Sequence, residues 1–543
     1  MLAIGERNRV IAAGGASLAV MAGLVLAAII PLLAATAGGD EVRSNAFDNY
    51  VWQVTRFTLL QASLSTLISV ILAVPLASAI ARRQRFFGRA WLIRLLALPL
   101  GLPQIVAAYG IIEIWGRNGI LNGAIVGAGL GGPVSIYGLA GILIAHVFFN
   151  LPLAARLMLF ELERVPAEYW ALAGQLGMRR RAIFQLVEWP AIARVVPGIA
   201  GLIFMLCATS FTIVLLLGGG PAATTIEVAI YQALRFDFDP PRAVMLALFQ
   251  ITLTGLVLIA LRLIGGTAEE GATTGRSLRR YDGDTVLNRG VDALLIILGA
   301  AFLIAPLVAV VASGVAANLA KLMTEPIVWR AIGTSLGIAV AAAVLGLLVA
   351  MSIAGARYAA VPLAERRTSA RAFRSSAAAA SSLILLVPPI VLGAGWFVLL
   401  HGVADVFALA PVIVILVNAM MALPFVMRVI EPALLTHMGR NGRLSLSLGI
   451  TGWRRLSLVD WPGLKRPLAV AFAFAMALSL GDLGAIALFG SNETITLPYL
   501  MLQRMGSYRT SDAAGIALIL GVICLGLMTV GSFGAGSNRE GGR

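Results

Sequence analysis

A chain of 543 residues that is 59% hydrophobic and only 12% charged carries too little polar surface to wrap a soluble core, because soluble domains are about a quarter charged. The apolar excess must face lipid, which excludes a large soluble enzyme. The net charge of +15 sits in short arginine-bearing loops between apolar segments, so membrane topology accounts for it better than nucleic-acid binding does.

In chain order, Arg7 and Arg9 precede an apolar run from Val10 to Ala35. It is too long for the core of a signal peptide and reads as a retained first span. A bilayer core takes about 20 apolar residues per helix. Such runs lie near 10–36, 57–81, 91–115, 137–160, 193–217, 242–264, 291–313, 330–355, 380–400, 407–430, 467–489 and 513–534, which predicts an all-α polytopic protein of about twelve spans. Segments 117–136 and 218–241 carry Gly and Pro and read as loops. Cys207 and Cys524 lie inside apolar runs and read as small core residues, with no disulfide framework and no metal site.

The basic loops fix an orientation. Arg82, Arg83, Arg85 and Arg89 follow the second run, Arg179 to Arg181 and Arg194 the fourth, and Arg276, Arg279, Arg280 and Arg289 the sixth. Arg366, Arg367, Arg371 and Arg374 follow the eighth, and Arg440, Arg443, Arg454, Arg455, Lys465 and Arg466 the tenth. The alternate loops hold Asp40, Glu41, Asp48, Asp237, Asp239, Glu325, Asp405 and Glu493. By the positive-inside rule the basic connections and both termini are cytoplasmic.

The chain also repeats. A shift of 272 relates Gly177 to Gly449, Pro152 to Pro424, Arg156 to Arg428, Gly218 to Gly490, and Ser63-Leu64 to Ser335-Leu336. The register breaks near Pro103 and Pro388-Pro389. An even number of spans in each copy predicts two parallel six-span halves, 1–264 and 291–543, joined by a polar cytoplasmic linker, 265–290.

The most informative stretch occurs once in each half, at 165–190 and 437–462, between apolar runs on the basic side. In the first, Pro166 suits the first turn of a helix, Glu168 complements its dipole, and Ala171, Gly174 and Gly177 form a ridge of small residues that a partner surface can approach closely. Gly177 ends the helix, and Trp189-Pro190 marks re-entry into the membrane. The second runs from Arg443 through Ser445 to Gly449 and ends in Trp461-Pro462. We read both as cytoplasmic elbows that suit docking rather than catalysis.

At these residues the chain resembles the permeases of bacterial ATP-binding cassette importers. Their cytoplasmic loop carries Glu-Ala-Ala, three residues, Gly, nine residues and Ile-x-Leu-Pro. Gly177 and Gly449 match the glycine, Val187 and Val459 the isoleucine, Pro190 and Pro462 the proline, and Ala173 the second alanine. Ala171 and Arg443 stand in place of the glutamate, Leu172 and Leu444 in place of the first alanine, Ser445 in place of the second, and Trp189 and Trp461 in place of the last leucine. The stretches 141–152, 217–234 and 497–509 look like the fused permeases of bacterial thiamine and thiamine-pyrophosphate importers over nearly the full length. Fused ferric-iron permeases share that architecture.

The resemblance implies two copies of a separate ATPase docked on the elbows, a periplasmic thiamine-binding protein, and an inner-membrane location. The chain itself has no phosphate-cradling loop, since its lysines, Lys321 and Lys465, do not follow glycine. It is not expected to be an enzyme or to hold a cofactor. An ion-gradient-driven secondary transporter is the rival from another class.

Ionisable and polar groups at membrane depth are candidates for the path. They are Glu113, Ser210-Phe211-Thr212, and Asp482, which the shift of 272 places at the position of Ser210. Asp482 is suited to a thiazolium cation and Phe211 to ring stacking. His146 and His401 read as structural.

Overall fold

Long apolar runs in lipid can satisfy their backbone only as helices or closed barrels. The computed structural model describes residues 4–37, 49–264, 280, 285–364, 367–383, 387–401, 405–491 and 493–533, and every regular element among them is helical. Asp40, Glu41, Asp48, Arg276, Arg279, Arg366 and most of the linker 265–290 lie outside the described residues. Among the described residues ten helices are long and apolar enough to cross a membrane. The chain is an all-helical, multi-pass membrane protein.

Two expected spans are not continuous helices. Across 91–115 the chain forms Arg89–Leu95, a 3-10 turn Leu98–Gly101, and the helix Gln104–Trp115. Pro99 and Pro103 each remove a backbone donor, and Leu102 is extended between them (ψ 130°). Across 380–400 the helix Thr368–Leu383 ends before Pro388, which is extended (ψ 152°), and Pro389–Leu400 begins anew. The segments expected as loops carry helices of their own, Ile120–Gly127 and Ile226–Arg235.

The main helices are α1 (Ile4–Ala37), α2 (Asn49–Arg82), α3 (Gln104–Trp115), α4 (Leu139–Arg164), α5 (Ala167–Gln175), α6 (Trp189–Ala208), α7 (Ile226–Arg235), α8 (Pro240–Ile264) and α9 (Val286–Ala316). They continue with α10 (Pro326–Ala359), α11 (Pro389–Leu400), α12 (Ala410–Ser447), α13 (Trp461–Gly481), α14 (Leu497–Gly506) and α15 (Thr510–Phe533).

The described residues form two compact units that cut across the sequence halves: 1–47, 229–251 and 317–543 in one, 48–228 and 252–316 in the other. In the first unit α1 lies against α10 and α11, although it belongs to the other half of the sequence. The contact is close because Gly395 lets α11 approach the backbone of Ala28, and the indole of Trp396 donates to the Leu24 carbonyl at 3.2 Å. In the second unit α9 lies against α3 and α2, with Gly110 admitting the Pro306 carbonyl.

The same device meets the first residue of a short helix in each unit. The Thr58 hydroxyl on α2 accepts the N–H of Ile226 (3.0 Å), the first residue of α7. The Ser335 hydroxyl on α10 accepts the N–H of Leu497 (2.8 Å), the first residue of α14. The two hydroxyls lie 277 residues apart and the amides they hold 271, so the device recurs close to, but not in, the register of 272 that relates the elbows.

Candidate functional site

The two elbows share one local geometry, although their sequences have diverged. In the first, Val165 and Pro166 are extended (ψ 124° and 142°) and separate α4 from α5, so Pro166 precedes the helix and Ala167 opens it. In the second no proline interrupts the chain, and α12 runs without a break from the span to Ser447. Both end alike. Gly177 and Gly449 are left-handed (φ 58° and 66°). Met178 N–H bonds back to the Ala173 carbonyl and Ile450 N–H to that of Ser445, closing the six-residue cap that a left-handed residue permits.

Beyond each glycine the chain makes one α-turn, Arg180–Ile183 or Gly452–Arg455, then a π-helical turn, Phe184–Glu188 or Leu456–Asp460, and enters the span at Trp189 or Trp461. Every one of these bounds is displaced by 272. A π-turn widens the helix by one residue and often marks functional sites.

Of the expected small-residue ridge, Gly174 and Gly177 are at the surface and Ala171 is partly so, and apolar side chains stand beside them. Ala173 and its counterpart Ser445 are buried, and the Ser445 hydroxyl bonds to the Asn441 carbonyl at 2.9 Å. Ala171 is half-buried, while Gly174, Gly177, Arg443 and Gly449 are exposed. The exposed apolar groups are leucines at matched positions: Leu172 and Leu444 (54% and 59% exposed) and Leu176 and Leu448 (67% and 64%). Tyr169 extends the first stripe. The clue in the sequence was a pair of leucines four apart in each copy, on the side away from the buried Ala173 or Ser445. Pro190 is half-buried and Pro462 is exposed where the spans begin.

Each π-turn ends in an acid that fastens the elbow. Glu188 is fully buried and accepts from Arg82 Nη1 (3.3 Å) and from Arg280. Arg280 belongs to the linker, and its guanidinium lies 3.9 Å from the ring centre of Trp170 on α5. Arg82 also bonds Asp292 on α9 at 2.9 Å, and the same carboxylate holds Arg83 and Arg180, each at 3.1 Å. The first elbow is thereby tied to α2, α9 and the linker through groups withdrawn from water. In the second elbow Asp460 holds His437 Nε2 (2.9 Å) and Arg455 (3.4 Å), and the Glu6 carboxylate of α1 accepts the N–H of Gly452 at 2.7 Å.

Ser210 and Asp482 sit at equivalent helix breaks. α6 ends at Ala208, and a short helix Thr212–Leu217 follows; α13 ends at Gly481, and Gly484–Phe489 follows. Asp482 caps the second short helix, accepting the N–H groups of Gly484 and Ala485 at 3.3 Å each. The Ser210 hydroxyl is buried and makes no such bond. Phe211 and Thr212 are buried beside it. Glu113 is hydrogen-bonded to Tyr109, one turn back on α3, which also bonds Ser313. His146 Nδ1 lies 3.0 Å from the Ser65 hydroxyl, and His401 stacks on Phe397.

No family model matches the chain. Curated relatives do. A thiamine transport system permease protein ThiP of Brucella suis biovar 1 (strain 1330) is 52% identical over 531 residues, 97% of this chain and 96% of that one. The protein of the same name from Escherichia coli (strain K12) is 46% identical over 484 residues, 89% of each. A molybdenum transport system permease protein, ModB, of Mycobacterium bovis (strain ATCC BAA-935 / AF2122/97) is 28% identical over 202 residues, 36% of this chain and 74% of that one. The identity and coverage of the first two place the assignment beyond the elbow motif alone: the chain belongs to the family of thiamine transport system permease proteins.

Proposed function

We propose that this chain is the membrane permease of an ATP-driven importer that carries thiamine or its phosphate esters into the cytoplasm. One observation carries the docking part of the reading. Two elbows share their caps, exposed leucine pairs, π-turns and terminal acids at a constant shift of 272, as expected of two equivalent sockets for two copies of one ATPase. The cargo rests on the relatives' names. The shift of 272 that relates the elbows supports a duplicated ancestry, which we read as six-span halves at 1–264 and 291–543 about the linker 265–290.

In this reading the chain lies in the bacterial inner membrane with both termini cytoplasmic, and a periplasmic thiamine-binding protein delivers the cargo. The ATPase grips Ala171 to Gly177 and Arg443 to Gly449, principally through Leu172, Leu176, Leu444 and Leu448. The elbows act as levers rather than as loose straps. A displacement of α5 passes through Trp170 and Arg280 to Glu188, and from there through Arg82 and Asp292 to α2 and α9. A displacement of the second elbow reaches α1 through Glu6 and α12 through His437. ATP-driven closure of the partner dimer draws on these levers and turns the path outward; hydrolysis returns it. Ser210, Phe211, Thr212 and Asp482, at the helix breaks, and Glu113 are the candidates for contact with the cargo, Asp482 supplying negative charge toward the thiazolium.

The test is uptake of radiolabelled thiamine by cells lacking the chain and by the same cells with it restored, with Gly177→Arg and Gly449→Arg as variants. Restored uptake that thiamine pyrophosphate blocks, and that either variant abolishes together with stimulation of the ATPase, is the expected result. Iron uptake restored in place of thiamine uptake overturns the cargo. Uptake that survives loss of the ATPase and collapses with the ion gradient overturns the class.

A further inference from the structure

Two aromatic residues stand where the elbows place glycine. Among the described residues, Phe238 (φ 52°) and Tyr508 (φ 58°) alone adopt a positive φ without being glycine. Each follows a short helix and precedes a crossing one: Phe238 lies between α7 and α8, and Tyr508 between α14 and α15. They are 270 residues apart, close to the shift that relates the elbows. Arg509 N–H bonds back over Tyr508 to the Arg504 carbonyl (2.9 Å), the same closure that Met178 and Ala173 make over Gly177. Asp239 N–H reaches the Ala233 carbonyl (2.8 Å) over Phe238. A side chain with a Cβ is strained at such a position and glycine is not.

The rings bury little against the chain in return. Phe238 is 80% exposed and Tyr508 92%, and Phe236 beside the first is exposed too. Strain of this kind persists where the surroundings enforce it, and it collects at functional sites. Both turns are held firmly. Arg504 bonds Glu325, and Arg509 bonds Glu325 (3.3 Å) and Asp512. The Asp239 carboxylate accepts the N–H of Arg242 (3.0 Å) at the start of α8. Arg235, at the end of α7, donates to the Gly490 carbonyl (3.1 Å) and to the Tyr499 hydroxyl of α14 (3.3 Å). Both turns therefore ride on the first unit.

Exposed aromatic rings fixed in advance are the usual anchors of a protein interface, because little ordering remains to be done on binding. Lipid is the poorer occupant. Exposed Asp237 separates Phe236 from Phe238, and exposed Ser507 and Arg509 flank Tyr508, so hydrocarbon around the rings would strand charges and the polar backbone of the turns. A soluble protein can meet rings and charges together.

Resting on the importer reading, in which both turns face the side opposite the elbows, we propose that Phe238 and Tyr508 are paired anchors on which the soluble thiamine-binding protein docks. Phe236 widens the first anchor, and Asp237 calls for a basic or amide group on the partner beside it.

The experiment uses the full-length chain with its ATPase in nanodiscs and the thiamine-binding protein loaded with thiamine. Docking affinity is read by biolayer interferometry, and the unfolding midpoint is measured in parallel. Phe238→Gly and Tyr508→Gly each remove a ring and also relieve the strain. Each is expected to weaken docking at least about tenfold, as the loss of an interface anchor does, with the midpoint unchanged or raised. Phe238→Tyr and Tyr508→Phe should dock as the wild type does. Phe87→Ala, which truncates a fully exposed ring on the basic loop after α2, should also dock as the wild type does. Wild-type docking that neither glycine variant weakens overturns the proposal and leaves the importer reading standing. Glycine variants with a lowered midpoint show that the rings serve the fold, and overturn it as well. Quenching of a Tyr508→Trp indole by brominated lipid assigns the ring to the membrane and overturns the protein partner. A wild-type chain that does not dock the loaded binding protein overturns the importer reading, and the proposal with it.

Discussion

Glu188 and Arg280 can be tested as one mechanical joint by a double-mutant cycle. Replacing Glu188 with Gln removes the carboxylate that bonds both Arg82 and Arg280 in a fully buried setting. Breaking a buried ion pair on one side costs about 3–5 kcal/mol, because the remaining charge stays withdrawn from water. Arg280→Met keeps much of the volume but loses the cation–π contact with Trp170, which when desolvated is worth about 2 kcal/mol. Glu188 then still has Arg82, and Arg82 still has Asp292. Independent effects would place the double variant near ~6 kcal/mol of destabilisation. Removing both partners also removes the stranded charge, so the double variant should return to about 3 kcal/mol, a coupling of about 2–3 kcal/mol. The assay is denaturant unfolding of the detergent-solubilised full chain, followed by tryptophan fluorescence under identical conditions for the four proteins. A double variant within about 0.5 kcal/mol of additivity refutes the joint. Thiamine uptake and ATPase stimulation supply the functional arm: Arg280→Met should lower uptake per ATP hydrolysed while ATPase binding persists.

Three further outcomes follow from the geometry. Leu172→Asp and Leu444→Asp should each abolish co-purification of the ATPase while leaving the permease's unfolding midpoint within about 0.5 kcal/mol, since both side chains are exposed. Gly177→Ala should cost about 1–2 kcal/mol in unfolding, because an L-residue is strained at φ 58°; nothing lies within 4 Å of the added carbon, so no steric term adds to it. Asp482→Asn should preserve the cap on Gly484–Phe489, whereas Asp482→Ala should lose about 1 kcal/mol in the same unfolding assay. If Asp482 also stabilises the cargo's positive charge, Asp482→Asn should raise the apparent KM for thiamine at unchanged stability; an unchanged KM leaves it as a cap alone.

Much of this architecture was legible in local chemistry. Lipid demands helices, so ten of the twelve apolar runs match helices long enough to cross, among the described residues, while the runs at 91–115 and 380–400 are broken at their prolines. The elbow glycines were legible because a left-handed helix end selects glycine, and both adopt that conformation. The equivalence of Ser210 and Asp482 survives as a shared helix break, although only Asp482 caps the helix that follows. What could not be read depended on partners distant in sequence. The packing of α1 beside α10, and of α9 beside α3, turns on close backbone approach at Gly395 and Gly110, glycines that look like any others in an apolar run. The leucines of the elbows could not be told from core residues in the sequence, because their exposure depends on which face of the elbow packs against the spans.

The arginines show why topology and mechanism are hard to separate in such a sequence. Arg82, Arg83, Arg180 and Arg280 were counted as markers of the basic side of the membrane, which asks only for positive charge near the ends of spans. Exposed lysines would satisfy that requirement equally well. The structure buries Arg82 and Arg280 and gives them Glu188, Asp292 and the face of Trp170 as partners. Flat guanidinium groups with several donors can bridge two carboxylates or stack on an indole; an ammonium does this poorly. Since only two of the chain's 41 basic residues are lysine, these arginines did not stand out from the rest; the sign in the sequence is the single acid placed just before each Trp-Pro pair, which fastens each elbow to its neighbours.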